Sequence, residues 1–294
     1  MNMEKPILVR ELLQLCDRNR DGSFSTQAAR KDILILVGRQ LLAGGFRSLG
    51  IHGLKPKHVS HLVARWQDEK LSAATVKNRL AHLRWWAEKV RKASVIPRTN
   101  AELGIGRRCF VSNTSKARDI SVDALEEVDD ERLRCSIRLQ QAFGLRREEC
   151  LKFQPAYAMQ DGPNVITLKA SWCKGGRERQ IPITNDFQRE VLAQAVALAE
   201  GKSMIPSALS YRQWLKRYEN ATTRAGLSRL HGLRHAYAQR RYLELAGWEC
   251  PAQGGPTSRQ LTPEQQKRDF AVRLQISREL GHNREAITAV YLGR

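Results

Sequence analysis

Six side chains, widely separated in the sequence, have the chemistry of a phosphoryl-transfer site. Guanidinium and ammonium groups neutralise phosphate oxygens, imidazoles move protons, and a phenol can act as a nucleophile. No cluster of carboxylates accompanies them, so the set favours phosphoryl transfer in which side chains, and not a metal ion, offset the negative charge. The six residues are Arg146, Lys174, His231, Arg234, His282 and Tyr291.

Tyr291 is the candidate nucleophile. Asn283 is predicted to cap a short helix that contains Ile287 and Tyr291, with the Gly281-His282 turn just before its first turn. On this stretch alone, a tyrosine at this position is more typical of the last core aromatic of a C-terminal helix. The residues upstream decide between these two interpretations.

Arg146 and Lys174 are expected near the ends of predicted elements. A helix is predicted from about Val122 to Phe143, and Gly144 ends it. The next helix starts within two residues, so Arg146 is expected near a helix N-terminus, where backbone N–H groups point outward. Only 164–170 and 179–183 resemble strands, and the two glycines at 175–176 predict a hairpin that presents Lys174 at its tip. A lysine at a hairpin tip is ordinarily solubilising, so this position alone indicates little.

His231 and Arg234 lie three residues apart on a predicted helix that ends at Gly247. This spacing brings the two side chains to one face, while Leu233 and Tyr237 point toward the core. Surface pairs of this kind are common, so the pair gains meaning only in combination with the other candidates.

The N-terminal part, residues 1–110, is predicted to consist of helices without a convincing strand. The first predicted helix has Thr26 as its N-cap and stops at Gly44, and the second follows Pro56. The third is capped by Ser72. It is expected to bury Val76, Leu80, Leu83 and Val90 and to leave an outward basic face made of Lys77, Arg79, Arg84, Lys89, Arg91 and Lys92.

Charge indicates what this part of the chain binds. The net charge is +20 with a pI near 10.2, which favours nucleic acid as the first partner and an anionic membrane surface as the second. Residues 1–120 hold 23 Lys and Arg against 10 Asp and Glu. An exposed basic helix face is also typical of a plain solvent-facing surface. The candidate DNA contacts are Lys77, Arg79, Arg84, Arg107, Arg108 and Lys116.

Other classes of protein are not favoured. No apolar run approaches the roughly 18–20 residues that a membrane span needs, and the first residues lack a signal-peptide pattern, so a soluble intracellular protein is expected. The six cysteines form no Cys-x-x-Cys pair, which argues against a disulfide or zinc framework. His58 and His61 have a spacing that could hold a metal, but no acid or cysteine joins them.

In their order along the chain, the candidate residues resemble the signature of the tyrosine recombinases of the phage-integrase type. Any one of the motifs is weak, whereas five in order across residues 144–291 are a strong signal. The matching segments are Gly144-Leu-Arg-Arg-Glu-Glu149, Lys174-Gly175, His231-Gly-Leu-Arg-His235, Leu280-Gly-His282 and Tyr291.

The resemblance implies a mainly α fold with a small antiparallel β-sheet, arranged as a two-domain C-shaped clamp around DNA. A helical core-binding domain would span 1–110, a basic linker 111–118, and an α+β catalytic domain 119–294. The implied function is site-specific DNA recombination, as by the integrase of a mobile element. The implied partners are double-stranded DNA, three further copies of the chain in a homotetramer on two DNA sites, and accessory proteins that bend DNA or set direction. The implied location is the bacterial cytoplasm, at the nucleoid.

The resemblance also implies a role for each candidate. Arg146 and Arg234 would clamp the non-bridging oxygens of the scissile phosphate, and the two histidines, His231 and His282, would hydrogen-bond it and help move the phenolic proton. Lys174 would protonate the departing 5′ oxygen. Tyr291 would form a 3′-phosphotyrosyl intermediate, and Glu149 would support the site without transferring a proton. No cofactor, whether metal or ATP, would be required, because the phosphodiester energy is kept in the intermediate.

Two departures from the family pattern and two other functions stay open. The Pro/Gly-rich loop at 248–265 is longer than usual, and is either a contact to a partner or a tolerated insertion. Few residues follow Tyr291, so the contact between subunits is expected to differ from relatives that use a longer tail. A relaxing topoisomerase of type IB would use similar residues without site preference, and a DNA-binding regulator would keep the scaffold without the chemistry.

Overall fold

The computed structural model describes residues 6–107 and 110–294, and it divides into two compact units at Phe110. Most of the described chain is helical, and its strands form one two-stranded antiparallel sheet. The predicted fold class, mainly α with a small antiparallel sheet, is confirmed. Over the described ranges, no helix combines the length and apolar character needed to cross a bilayer.

In its described residues, 6–107, the N-terminal unit packs four α-helices around a core of aliphatic side chains and two tryptophans, Trp66 and Trp86, both fully buried. The second helix starts three residues earlier than predicted, because Ser23 and not Thr26 is its N-cap and accepts a hydrogen bond from the Thr26 amide at 3.2 Å. The predicted cap at Ser72 is confirmed. The helices are α1 (Ile7–Arg18), which the sequence did not predict, α2 (Phe24–Ala43), α3 (Pro56–Asp68) and α4 (Ala73–Lys89).

The predicted outward basic face is wrong for Arg79 and Arg84 of α4, which bond within the N-terminal unit. The Arg79 guanidinium lies over the Trp66 ring at 5.5 Å and 3.8 Å from Glu69. Arg84 donates through Nη2 to the Pro97 carbonyl and to Asn100 Oδ1, both at 3.0 Å.

These arginines therefore stabilise the N-terminal unit, and their partners lie on other segments of the chain. Among the other candidate DNA contacts of this unit, Lys77 is half-buried and Arg107 is exposed. Arg108 lies outside the described residues.

The second unit contains nine helices and the sheet within its described range, 110–294. The predicted single helix from Val122 to Phe143 is wrong: it is two helices, because Asp130 caps the second one by accepting from the amides of Arg132 and Leu133. The elements are α5 (Val122–Glu126), α6 (Glu131–Phe143), α7 (Arg147–Leu151), α8 (Pro155–Ala158), β1 (Val165–Leu168), β2 (Arg179–Pro182), α9 (Asp186–Ala199), α10 (Tyr211–Arg224), α11 (Gly232–Ala246), α12 (Pro263–Glu279) and α13 (Ala289–Leu292).

The centre of this unit is α11, which packs against α6, α12 and α13. Gly144 ends α6 in the left-handed conformation at φ 61°. A Cβ atom at this position would lie 2.6 Å from Tyr237 Cδ1 on α11. A glycine is therefore required both by the backbone conformation and by the close packing of α6 on α11.

The segment predicted as a linker, 111–118, lies within the second unit and is bonded to it. Arg118 donates its amide to the Gly232 carbonyl at 3.2 Å, and the Ser115 hydroxyl donates to Gln239 Oε1 at 2.9 Å. The 248–265 loop is also anchored, since Cys250 is fully buried and the 3₁₀ turn Pro251–Gln253 contacts α13.

Candidate active site

The phenol of Tyr291 lies against Arg234. Arg234 is 1% exposed, and its Nε donates to the Tyr291 hydroxyl oxygen at 3.2 Å. Its two terminal nitrogens donate to the carbonyl oxygens of Gly144 and Leu280. The guanidinium is therefore fixed by the ends of α6 and α12, and it presents a positive charge to the phenol oxygen.

Arg146 approaches the same place from the N-terminus of α7. Its Nη2 donates to the Leu280 carbonyl at 3.2 Å and lies 3.3 Å from His282 Nε2. The Leu280 oxygen thus accepts from both arginines. His282 is held in turn through its amide, which donates to the Ser277 carbonyl at 2.7 Å. The Gly281-His282 turn therefore brings an imidazole to the two guanidiniums.

A buried carboxylate, Glu149, holds the arginines in place. It is fully buried and accepts from Arg146 Nη1 at 2.8 Å and from Arg179 Nη2 and Nη1 at 2.7 and 3.0 Å. Burial alone would raise the pKa of Glu149, but the hydrogen bonds and charge of Arg179, with the charges of Arg234 and Arg146, lower it to about 2. Glu149 is therefore ionised and neutralises part of the positive cluster.

Two histidines of the site, His231 and His282, have lowered pKa values. Partial burial and the nearby arginines lower the pKa of His282 to about 4. The pKa of His231 is also lowered, first by partial loss of hydration and then by the charges of Arg234 and Arg146. A neutral imidazole has one acceptor nitrogen, and on His282 this is Nε2, because it faces the donating guanidinium of Arg146. Within the described residues, the structure records no hydrogen bond from the Tyr291 hydroxyl to either ring.

His235 is a second imidazole at the phenol. Its ring centroid lies 4.8 Å from that of Tyr291, against 6.2 Å for His231 and 6.4 Å for His282. Burial, followed by the charges of His231, Lys116 and Arg234, lowers the pKa of His235 to about 4. His235 stands in the predicted motif but was not assigned a role from the sequence.

Lys174 lies apart from this group. It is exposed in the ten-residue connection between β1 and β2, after a 3₁₀ turn at Ala170–Trp172. Within the described residues, the structure records no hydrogen bond or ion pair between Lys174 and the other candidates. The predicted hairpin is confirmed, with Leu168 opposite Arg179. Five of the six candidate residues thus come together, and the sixth lies on a neighbouring exposed connection.

The predicted cap of the Tyr291 helix is wrong. Asn283 does not cap it: a 3₁₀ turn at Glu285–Thr288 starts after Arg284 and leads into the four-residue α13. Tyr291 is 7% exposed and belongs to the hydrophobic core of the unit. It is thus both a core aromatic and a residue whose oxygen meets Arg234, so the two interpretations of the sequence are not exclusive.

Comparisons with known proteins identify the family of the chain. Residues 3–93 match the family model for the N-terminal part of phage integrases, and residues 107–240 match the model described as integrase. The chain belongs to the phage integrase family. The second match includes Arg146, Lys174, His231 and Arg234 and ends before His282 and Tyr291.

Solved structures of tyrosine recombinases share the fold. A lambda integrase dimer bound to a COC′ core site has a TM-score of 0.58 at 17% identity, over 96% of this chain and 78% of that one. XerH site-specific recombinase bound to difH substrate gives 0.55 at 15%, over 96% and 80%. The Tn1549 transposon integrase with circular intermediate DNA gives 0.52 at 15%, over 97% and 95%. No curated protein sequence matches the chain.

Arg179 is a site residue that the sequence did not predict. It is 8% exposed and joins three segments of the site: it bonds Glu149, donates through Nε to the Glu279 carbonyl at 2.8 Å, and donates to Cys173 Sγ at 3.1 Å. The available signal was its place at the start of a predicted strand five residues after Lys174. An arginine directed into the core needs a buried carboxylate partner, and Glu149 is that partner.

Proposed function

We propose that this chain is a site-specific DNA recombinase that cleaves and rejoins strands through a 3′-phosphotyrosyl intermediate on Tyr291. The proposal depends on one observation: the Tyr291 hydroxyl oxygen lies 3.2 Å from Arg234 Nε, in a site that also contains Arg146 and His282. Positive groups at the attacking oxygen stabilise the charge that develops as it approaches phosphorus.

In the proposed reaction the Tyr291 oxygen forms a bond to phosphorus and the bond from phosphorus to the 5′ oxygen breaks. The phenolic proton passes to a neutral imidazole, His231 or His282. Lys174 gives a proton to the departing 5′ oxygen. Arg146 and Arg234 hold the non-bridging oxygens, for which the planar guanidinium is suited. A 5′-hydroxyl from a partner duplex reverses the step and releases the tyrosine.

In the proposed reaction, the side chains of the site supply all the positive charge that stabilises the phosphate oxygens. The arginines and Glu149 form a fixed, mostly buried cluster, so little reorganisation is required when the phosphate arrives. We propose that no metal or nucleotide takes part.

The exposed cations near the site are proposed contacts to DNA phosphates on either side of the scissile one. Lys116 and Arg118 line a cleft together with His231, His235 and Arg229. Arg107 and Lys77 are proposed contacts of the N-terminal unit, whereas Arg79 and Arg84 are already used within it. Binding of this kind falls steeply as salt rises.

We also propose the wider setting that this chemistry requires. Strand exchange between two duplexes needs a nucleophile for each of four strands, so the proposed active species is a homotetramer on two DNA sites. Its proposed location is the bacterial cytoplasm, at the nucleoid. The domain limits proposed for it are 1–110 for core binding and 119–294 for catalysis, with 111–118 bonded to the catalytic part. Integration and excision of a mobile element is the proposed role.

The proposal is tested with trapping duplexes, which carry a nick that lets the strand segment with the free 5′-hydroxyl diffuse away after cleavage. A pool with a randomised core is incubated with the protein, and the DNA that remains covalently attached is sequenced. A recombinase traps one site, a type IB topoisomerase traps any sequence, and a DNA-binding regulator traps nothing. Tyr291→Phe is expected to abolish the adduct and to leave DNA binding intact. An adduct that persists in this variant would refute Tyr291 as the nucleophile.

A further inference from the structure

Gln239 is a buried side chain whose two ends are both engaged near the candidate nucleophile. It lies on α11, five residues after Arg234, and is 1% exposed. Its Nε2 donates to the backbone carbonyl oxygen of Tyr291 at 2.9 Å, and its Oε1 accepts from the Ser115 hydroxyl at 2.9 Å. The amide is therefore held in one orientation, with its N–H directed at Tyr291.

The helix α11 thus contacts Tyr291 at three points. Arg234 binds the phenol oxygen, the His235 ring lies 4.8 Å from the phenol ring, and Gln239 binds the main chain of the same residue. These contacts fix both ends of the tyrosine relative to one rigid element.

The element that carries Tyr291 cannot fix its own position. Helix α13 has four residues, and a helix this short is not stable by itself. Its place depends on bonds from other segments, which include Gln239 at Tyr291 and Arg273, whose Nη1 donates to the Gly293 carbonyl at 2.9 Å.

We infer that Gln239 is a positioning residue, which sets where the Tyr291 oxygen stands relative to the reacting phosphorus, and that Ser115 orients its amide. This inference rests on the proposed function, because it assumes that Tyr291 attacks. Gln239 does not touch the phosphate. Its contribution is the distance and direction of attack, and a misplacement of about 1 Å can cost about 100-fold in rate.

The test compares Gln239→Met with a matched control, Gln188→Met. Both glutamines are buried, and each donates through Nε2 to a backbone carbonyl at 2.9 Å, but Gln188 donates to Ala142, between α9 and α6. Methionine keeps the length of the side chain and removes its hydrogen bonds. Both variants are expected to lose thermal stability to a similar extent. Only Gln239→Met is expected to slow adduct formation at saturating trapping duplex, by about 10- to 100-fold, with the Kd for that duplex unchanged.

A second variant, Ser115→Ala, tests whether Ser115 orients the Gln239 amide. It is expected to slow adduct formation less than Gln239→Met, and to add nothing when combined with it, because both changes act through one amide. Equal cleavage rates in Gln239→Met and Gln188→Met would overturn the inference, and so would additive effects of the Ser115 and Gln239 changes.

A measurement without DNA separates this inference from the proposed function. Fluorotyrosine introduced at position 291 reports the surroundings of that ring by ¹⁹F NMR. Gln239→Met is expected to shift or broaden this resonance, and Gln188→Met is not. An unchanged resonance would overturn the positioning role even if Tyr291 forms the adduct. A changed resonance with no adduct from the wild-type chain would instead refute the proposed function.

Discussion

Replacement of Glu149 by glutamine should strongly destabilise the second unit. The carboxylate is fully buried, lies within 3.0 Å of two guanidiniums and is 4.0 Å from a third. Glutamine keeps the shape, removes the charge, and leaves Arg146, Arg179 and Arg234 as a buried positive cluster. Removal of one partner from a buried ion pair costs about 3–5 kcal/mol.

The lowered pKa gives a second estimate of the same quantity. A shift from 4.5 to about 2 corresponds to roughly 3 kcal/mol of preference for the ionised form in the folded state. Because the folded pKa is below the unfolded one, this stabilisation is fully present above pH 4.5 and is lost as the pH falls toward 2. The difference between wild type and Glu149→Gln should therefore be constant from pH 5 to 8, and should shrink only in more acidic solution.

Urea denaturation followed by circular dichroism measures the free energy of unfolding. The neighbouring Glu148→Gln is the matched control, since Glu148 pairs with Lys152 at 2.6 Å but its side chain is 50% exposed. An exposed pair contributes about 0–1 kcal/mol. If Glu149→Gln lost no more stability than Glu148→Gln at pH 7, the assignment of Glu149 as the counter-ion of the cluster would be refuted.

Three further predictions concern other residues of the site. His282 should titrate at about 4 in the DNA-free protein by NMR, because burial and the neighbouring guanidiniums disfavour its charged form; titration near 6.5 would contradict this. Gly144→Ala should lower the free energy of unfolding by at least about 2 kcal/mol, because of its positive φ and the contact with Tyr237. Gly106→Ala, in open space, should have no such effect in the same denaturation assay. Lys174→Ala should leave unfolding unchanged and slow adduct formation by about 10²–10⁴-fold. In a trapping duplex with sulfur in place of the 5′ oxygen, the leaving thiolate needs no proton, so this duplex should restore the rate of the variant. A defect that persists with this duplex would exclude Lys174 as the acid.

The order and spacing of motifs predicted much of the site. Arg146, His231, Arg234, His282 and Tyr291 come together, because glycine turns, helix starts and i,i+3 pairs are local features that short sequence patterns describe. Helices were also predictable where a cap and an apolar stripe agree, as for α4 of the N-terminal unit after Ser72.

Contacts between distant segments were not predictable in this way. The partner of Arg179 is Glu149, thirty residues earlier, and the partner of Lys89 is Asp21. Helical periodicity indicates which face a side chain occupies but not which segment covers that face. For this reason the basic face of α4 was overestimated, and Arg179 and Gln239 were not recognised.

The hydrogen bonds of the 111–118 segment have a practical consequence for dissecting the protein. Asn113 bonds the backbone of Arg294 in both directions, at 2.9 and 3.1 Å, and Ser115 supports Gln239. A fragment that starts at residue 119 would therefore lack the hydrogen bonds that hold Arg294 and Gln239. If the proposed function is correct, this fragment is expected to form the covalent adduct more slowly than the intact chain. A fragment intended for measuring the cleavage rate should begin at Phe110, so that it includes the 111–118 segment and its hydrogen bonds to the second unit.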